Sequence, residues 1–233
     1  MKQDDNHKVF NPGPAVLDGL LFIPDISGFT ELVHSTDVLT GKQITYELLS
    51  AVISQNVLQL NIAEVEGDAV LFFRYGRAPS LCELVEQYEK MVQAFESKCA
   101  ALQKSFSLPL NLSLKAIAHY GPMSEYTIGS FKKLYGKVVV EAHRLLKNSI
   151  ERDCYLLLTD SLVKMTGAIA ADELLHYGIR ANKLCEIYGS LRNICFTYLQ
   201  ILSSSFQPIF FLMRFMMISM VLSQTSISNQ MDH

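Results

Sequence analysis

The apolar residues of this chain change period in a fixed order, and that order constrains the fold more tightly than any single motif. Leu20 to Ile26 is a short apolar run ending at an acid, the mark of a buried strand. Ser27-Gly28-Phe29-Thr30 then opens a helix towards Leu32 and Val33, and Gly41 to Val57 suits a second, with Ile44, Leu48, Val52 and Ile53 on one face. Leu58 to Glu66 and Ala69 to Tyr75 read as two strands joined by the tight Gly67-Asp68 turn. Leu81, Leu84, Val85, Tyr88, Met91, Val92, Phe95 and Leu102 recur at helical spacing and give the clearest helix. A long alternating strand follows, with Leu112, Leu114, Ala116 and Ala118 on one face. Strand, helices, two strands, helix, strand is a ferredoxin-like βαββαβ core of the α+β class, with the helices expected on one face of the sheet. Additions come after it. Met123 to Ile128 is the expected return strand, Val138 to Asn148 a helix, Tyr155 to Thr159 a strand and Ser161 to Met165 a short helix. Lys183 to Tyr188 and Asn193 to Leu199 make a closing β-hairpin.

A chain of 233 residues with 49% hydrophobic composition has room for one such domain. The expected boundaries are a lead-in over residues 1–17, the domain over 18–201 and a tail over 202–233. A net charge of -3 argues against a nucleic-acid-binding surface. The polar start, Met1 to Lys8, has no apolar core of a secretory signal. Five cysteines in no CxxC pair read as reduced thiols in a cytoplasmic protein, without the spacing of a zinc site. The apolar stretch over residues 206–222 is shorter than the ~20 residues that span a bilayer and carries Arg214 near its middle. Membrane contact through this tail and packing against the domain both stay open.

Chemistry concentrates in two places, Phe22 to Thr30 and Glu64 to Phe72. Asp25 alone reads as a helix cap, and Asp68 alone as a turn residue. Together they are more informative, because both acids close apolar strands and a helix-containing crossover separates them. If those strands pair, the carboxylates converge in the outline of a hard-cation site for phosphoryl transfer. His119 and His143 read as structural or surface residues, and Lys132-Lys133 as a solvated loop.

Phe22 to Thr30 resembles the first metal-binding motif of class III adenylate and guanylate cyclases. Glu64 to Phe72 resembles their second, whose Gly-Asp carries the other metal ligand. Leu134 to Leu145, with Gly136 before its helix, resembles their third. The likeness spans roughly residues 18–200 and points to a bacterial branch of that superfamily. It implies that Asp25 and Asp68, with the backbone carbonyl of Ile26, hold two Mg²⁺ or Mn²⁺ ions. It implies that Gly28, Phe29 and Thr30 present amides to phosphate, and that Arg144 stabilises charge on the transferring phosphate. It also implies a homodimer, since in that family the metal carboxylates and the base and arginine contacts come from opposite protomers.

Two departures qualify the likeness. Val140 stands where the motif has a ribose-positioning asparagine. Glu64 and Lys133, at the base-reading places, carry the charges of adenylate cyclases reversed. Glu64 can accept from guanine N1–H and its 2-amino group, and Lys133 can donate to O6, so GTP is favoured over ATP as the bound nucleoside triphosphate. The resemblance thus implies cyclisation to a cyclic 3′,5′-nucleotide. The alternative is a catalytically degenerate relative that binds nucleotide, or a partner chain, as a regulatory module. A third outcome for Glu64 and Lys133 is that they bond each other and shut the purine pocket.

Overall fold

The computed structural model describes residues 15–166, 174–175, 178–188 and 193–201. Its first strand, β1 (Leu17–Ser27), is buried from Gly19 to Ile26, because both its edges are paired and both its faces are covered. Two helices follow, α1 (Phe29–Ser35) and α2 (Val38–Ser54). Asp37 caps α2 by accepting from the amides of Leu39 and Thr40.

The hairpin of β2 (Asn61–Glu66) and β3 (Ala69–Tyr75) leads into α3 (Leu81–Phe106), and then β4 (Ser113–Ile128) closes the core. In the sheet these strands lie in the order β2-β3-β1-β4, all antiparallel, which is the ferredoxin-like arrangement expected. A capping box, Ser80 with Glu83, starts α3. Replacing Ser80 by alanine should cost about 1 kcal/mol. Thermal unfolding should show this as a melting temperature lower by roughly 2–4 °C.

Met123 to Ile128 is not a separate return strand but the continuation of β4. The chain then returns as β5 (Phe131–Tyr135), so Lys132 and Lys133 lie on a strand and not in a loop. Beyond it come α4 (Lys137–Leu145), β6 (Leu156–Thr159) parallel to β4, α5 (Asp160–Thr166) and the hairpin β7 (Ile179–Ile187) and β8 (Asn193–Ile201). On β7 and β8, Cys185 faces Cys195 in register and the two form a disulfide. The reduced-thiol expectation is therefore wrong for this pair, and the cytoplasmic reading loses that part of its support.

Strand alternation divides the core in two. Leu20, Phe22, Val70 and Phe72 face α2 and α3, while Leu21, Ile23, Ile117 and Phe196 face the other way. That second face is covered by α4, through Val138, Ala142 and Leu145. The helices thus occupy both faces, where one had been expected. The parallel β6 explains the placement: α4 lies in the connection from β4 and β5 to β6 and crosses the sheet on its free side.

The apolar stretch over residues 206–222 lies outside the described residues, as does most of the lead-in. Among the described residues no helix is long and apolar enough to cross a membrane.

Candidate metal and nucleotide site

Ladder register brings the two aspartates together. Asp25 lies opposite Ala69, next to Asp68 in the chain, and the Ile26 amide donates to the Asp68 carbonyl at 3.1 Å. Asp25 is buried at 8% exposure. Asp68 sits in the turn after Gly67, which takes a left-handed φ of 59°. Partial burial, and then the Asp25 charge with a hydrogen bond to Asp25, push the Asp68 carboxyl above its ordinary value. Asp25 does not cap a helix. Gly28 is the N-cap of α1.

A residue that the sequence reading did not single out completes this cluster. Lys115 lies directly across from Asp25 on β4. Its Nζ is 3.1 Å from Asp25 Oδ2 and donates to the Leu146 carbonyl at 3.4 Å. One ammonium beside two carboxylates leaves the ionised cluster short of positive charge, and a divalent cation fits that deficit. Among the described residues no group of three or more His, Cys, Asp or Glu could hold a metal. Two carboxylates and a peptide carbonyl suit Mg²⁺ or Mn²⁺, hard cations that complete their shell from phosphate and water.

The glycines of both helix-opening motifs are there for backbone reasons. Gly28 has φ 85°, and a Cβ on it would lie 2.5 Å from the Asn111 carbonyl oxygen. Gly136, before α4, has φ 154°, and a Cβ there would meet the Pro122 carbonyl oxygen at 2.8 Å. Past Gly28, α1 starts at Phe29 with no side-chain cap. The first amides, those of Phe29 and Thr30, follow directly on the strand end that carries Asp25 and Ile26.

None of the other candidates forms an ion pair with Asp25 or Asp68 among the described residues. Arg144 is on the exposed side of α4 and makes no ion pair among the described residues. Val140 is also turned outward, at 51% exposure. Glu64 on β2 and Lys133 on β5 do meet, but with each other, at 2.5 Å. Hydrogen bonding to Glu64 comes first among the influences that raise the Lys133 ammonium above its ordinary value.

Buried behind α4 is a second polar cluster. His119 Nε2 lies 3.0 Å from Glu141 Oε2, and Nδ1 lies 2.8 Å from Thr159 Oγ1. Lys137 Nζ approaches the other Glu141 oxygen at 3.9 Å. This network ties α4 to β4 and β6, and sequence reasoning recognised only its histidine, as a structural or surface residue.

A family described as "Protein of unknown function (DUF2652)" matches residues 45–155. An uncharacterized protein of Mycobacterium tuberculosis is 30% identical over 108 residues, which is 43% of this chain and 50% of that protein. The chain thus spans about half the length of this curated relative. Among solved structures, the guanylyl cyclase Cya2 superposes with a TM-score of 0.63 at 10% identity, covering 84% of this chain and 98% of that one. The guanylate cyclase domain of RhGC from Catenaria anguillulae, solved with GTP, gives 0.54 at 14% identity, covering 80% of this chain and 98% of that one. The fold is that of class III adenylyl and guanylyl cyclase catalytic domains.

Proposed function

We propose that the chain binds a nucleoside triphosphate, GTP in preference to ATP, through Mg²⁺ or Mn²⁺ as a homodimer, and cyclises it to the 3′,5′-nucleotide. The observation that carries this reading is the meeting of Asp25 and Asp68 at the β1 end and the β2–β3 turn of a cyclase fold. When bound, two such ions supply a polarised phosphate and a more acidic ribose 3′-hydroxyl. Asp25 and Asp68 hold and orient them, with the Ile26 carbonyl beside. Lys115, 3.1 Å from Asp25, fixes its rotamer. The amides of Gly28, Phe29 and Thr30 face the phosphates. Arg144 is exposed and, among the described residues, outside any ion pair, so Arg144 of the partner subunit is available to meet charge that develops on the transferring phosphate.

A second reading has two observations behind it. Val140 is apolar at the ribose-positioning place, and Glu64 and Lys133 bond each other. Both favour a nucleotide-binding regulatory module without turnover.

The experiment is to incubate the purified protein with Mn²⁺ and either ATP or GTP and resolve the products by mass. The proposal expects cyclic GMP and pyrophosphate. Nucleotide binding without product favours the module instead. Val140→Asn supplies the missing amide, and because that hydrogen bond is made in the transition state, turnover should rise on the order of 10- to 100-fold with little change in affinity. An unchanged measurable rate in that variant places Val140 away from the ribose.

A further inference from the structure

The Cys185–Cys195 disulfide lies where the sheet gives its hairpin least support. β7 is the edge strand, and β6 pairs β8 from Phe196 to Leu199. From Cys195 to Asn193, β8 is paired by β7 alone among the described residues. Cys185 and Cys195 close this overhang, with Cys185 exposed to solvent and Cys195 half-buried. Glu186, next to Cys185 in the chain, turns to the other face by strand alternation. There its Oε1 accepts from the Ser149 amide at 3.0 Å and from the Ser149 hydroxyl, and its Oε2 accepts from the Tyr188 hydroxyl. Burial opposes the charge on Glu186, yet these bonds hold its carboxyl below its ordinary value.

Ser149 passes this hold on to α4. Beside it, Asn148 Nδ2 donates to the Leu145 carbonyl at 2.6 Å, and Asn148 Oδ1 accepts from the Ile150 amide at 2.9 Å. The Lys147 amide donates to the Arg144 carbonyl at 3.0 Å. The last turn of α4 is thus tied, through Ser149, to the strand end that the disulfide closes. We propose that Cys185–Cys195 is a thiol–disulfide exchange site that sets how firmly the Arg144 turn of α4 is held. Oxidised, the overhang keeps Glu186 on Ser149. Reduced, the overhang frays, Ser149 is released and the Arg144 turn loosens. The effect on turnover rests on the nucleotide reading above; the effect on α4 does not.

The exchange is a two-electron step with a dithiol as reductant. A thiolate of the dithiol attacks the exposed Cys185 sulfur, the S–S bond breaks, and Cys195 leaves as a thiolate. The second sulfur of the dithiol then displaces Cys185 from the mixed disulfide. The dithiol ends as a disulfide, and the two protons it gave up end on Cys185 and Cys195. An exposed disulfide is the labile kind, open to such attack. The other cysteines compete poorly as attacking groups. Burial raises the thiols of Cys82 and Cys154, and that of Cys99 up to about 12, which lowers the thiolate fraction of each.

The test is hydrogen exchange read by mass spectrometry on the full chain, disulfide-bonded and after native incubation with dithiothreitol, with alkylation to count thiols. The expected result is two further alkylated thiols in the reduced chain and exchange over residues 144–150 faster by about tenfold or more, the weight of a hydrogen bond to a charged acceptor. Exchange over β1 should not change. Cys185→Ser should show the faster exchange with or without dithiothreitol. Glu186→Ala keeps the disulfide, so it should show the faster exchange while oxidised and gain little more on reduction.

A disulfide that dithiothreitol leaves intact in the native chain overturns the proposal, because it is then a structural staple. So does unchanged exchange over 144–150 in the reduced chain, and so does loss of protection in β1 along with 144–150, which is global unfolding. Product formation from Mn²⁺ and GTP separates this proposal from the nucleotide reading. Slower turnover on reduction, with the exchange faster, upholds both. Faster exchange in a chain that makes no cyclic GMP in either redox state upholds the switch on α4 and counts against the cyclase reading alone.

Discussion

Replacing His119 by leucine is expected to lower stability by about 3 kcal/mol or more, because it removes a partner from a buried carboxylate. For a domain of this size that is a fall in melting temperature of roughly 6–12 °C. His119 and Glu141 are each about 2% exposed, and their 3.0 Å contact joins β4 to α4. Leucine fills the histidine volume but offers nothing to the carboxylate. The double variant His119→Leu with Glu141→Leu should recover much of the loss, since a buried pair can often be exchanged for apolar residues at little cost. Thermal unfolding of both single variants and the double gives the coupling. A loss under about 1 kcal/mol in His119→Leu, with the double no better, would show that Glu141 is neutral or finds water. The same helix presents Val140 and Arg144, so the loosened variants should also bind nucleotide less well.

Mn²⁺ with GTP should raise the melting temperature of the unaltered chain, and Asp25→Ala or Asp68→Ala should abolish the rise. A ligand that binds only the folded state, at 100 times its dissociation constant, adds about 2.7 kcal/mol. That corresponds to roughly 5–10 °C here. The metal-free protein carries a matching pH signature. The folded-state value of Asp68 is raised, by burial first and by Asp25 second. The stability linked to its bound proton is fully present below its unfolded value and is lost as pH rises through the raised folded value. Asp68→Asn should flatten that limb of the stability curve, and Mn²⁺ should offset the loss at neutral pH in the unaltered chain. A metal-free profile that Asp68→Asn leaves unchanged would mean the carboxylates do not repel.

How much of this was legible follows from what each feature depends on. Asp25, Asp68 and the two helix-opening glycines were readable because each is set within a few residues, by a strand end, a Gly-Asp turn or a close backbone approach. Lys115 was not, although its identity was plain. Its pairing with Asp25 depends on the β1–β4 register, fixed across 90 residues of chain by the packing of both strands. His119 looked like a lone structural histidine because Glu141 reaches it only once α4 crosses the unexpected face. Met123 to Ile128 reads in the sequence as a separate return strand, but β4 runs through Pro122 to Ile128. The strand tolerates the proline where pairing passes from β1 to β5, the kind of position where a missing donor costs little. Cys185 and Cys195 carried a signal that was passed over, since a tight hairpin between them sets them opposite one another. Glu64 and Lys133 bond each other, one of the outcomes the sequence leaves open for them.

The central claim is that Asp25 and Asp68 jointly hold the ions of a bound nucleoside triphosphate. The most direct measurement is an electron paramagnetic resonance titration of Mn²⁺ into the purified chain, with and without GTP. The account predicts little tight Mn²⁺ binding alone, about two ions per nucleotide site when GTP is present, and loss of both signals in Asp25→Ala and in Asp68→Ala. Mn²⁺ and GTP bound with unchanged stoichiometry and affinity in those two variants would contradict it.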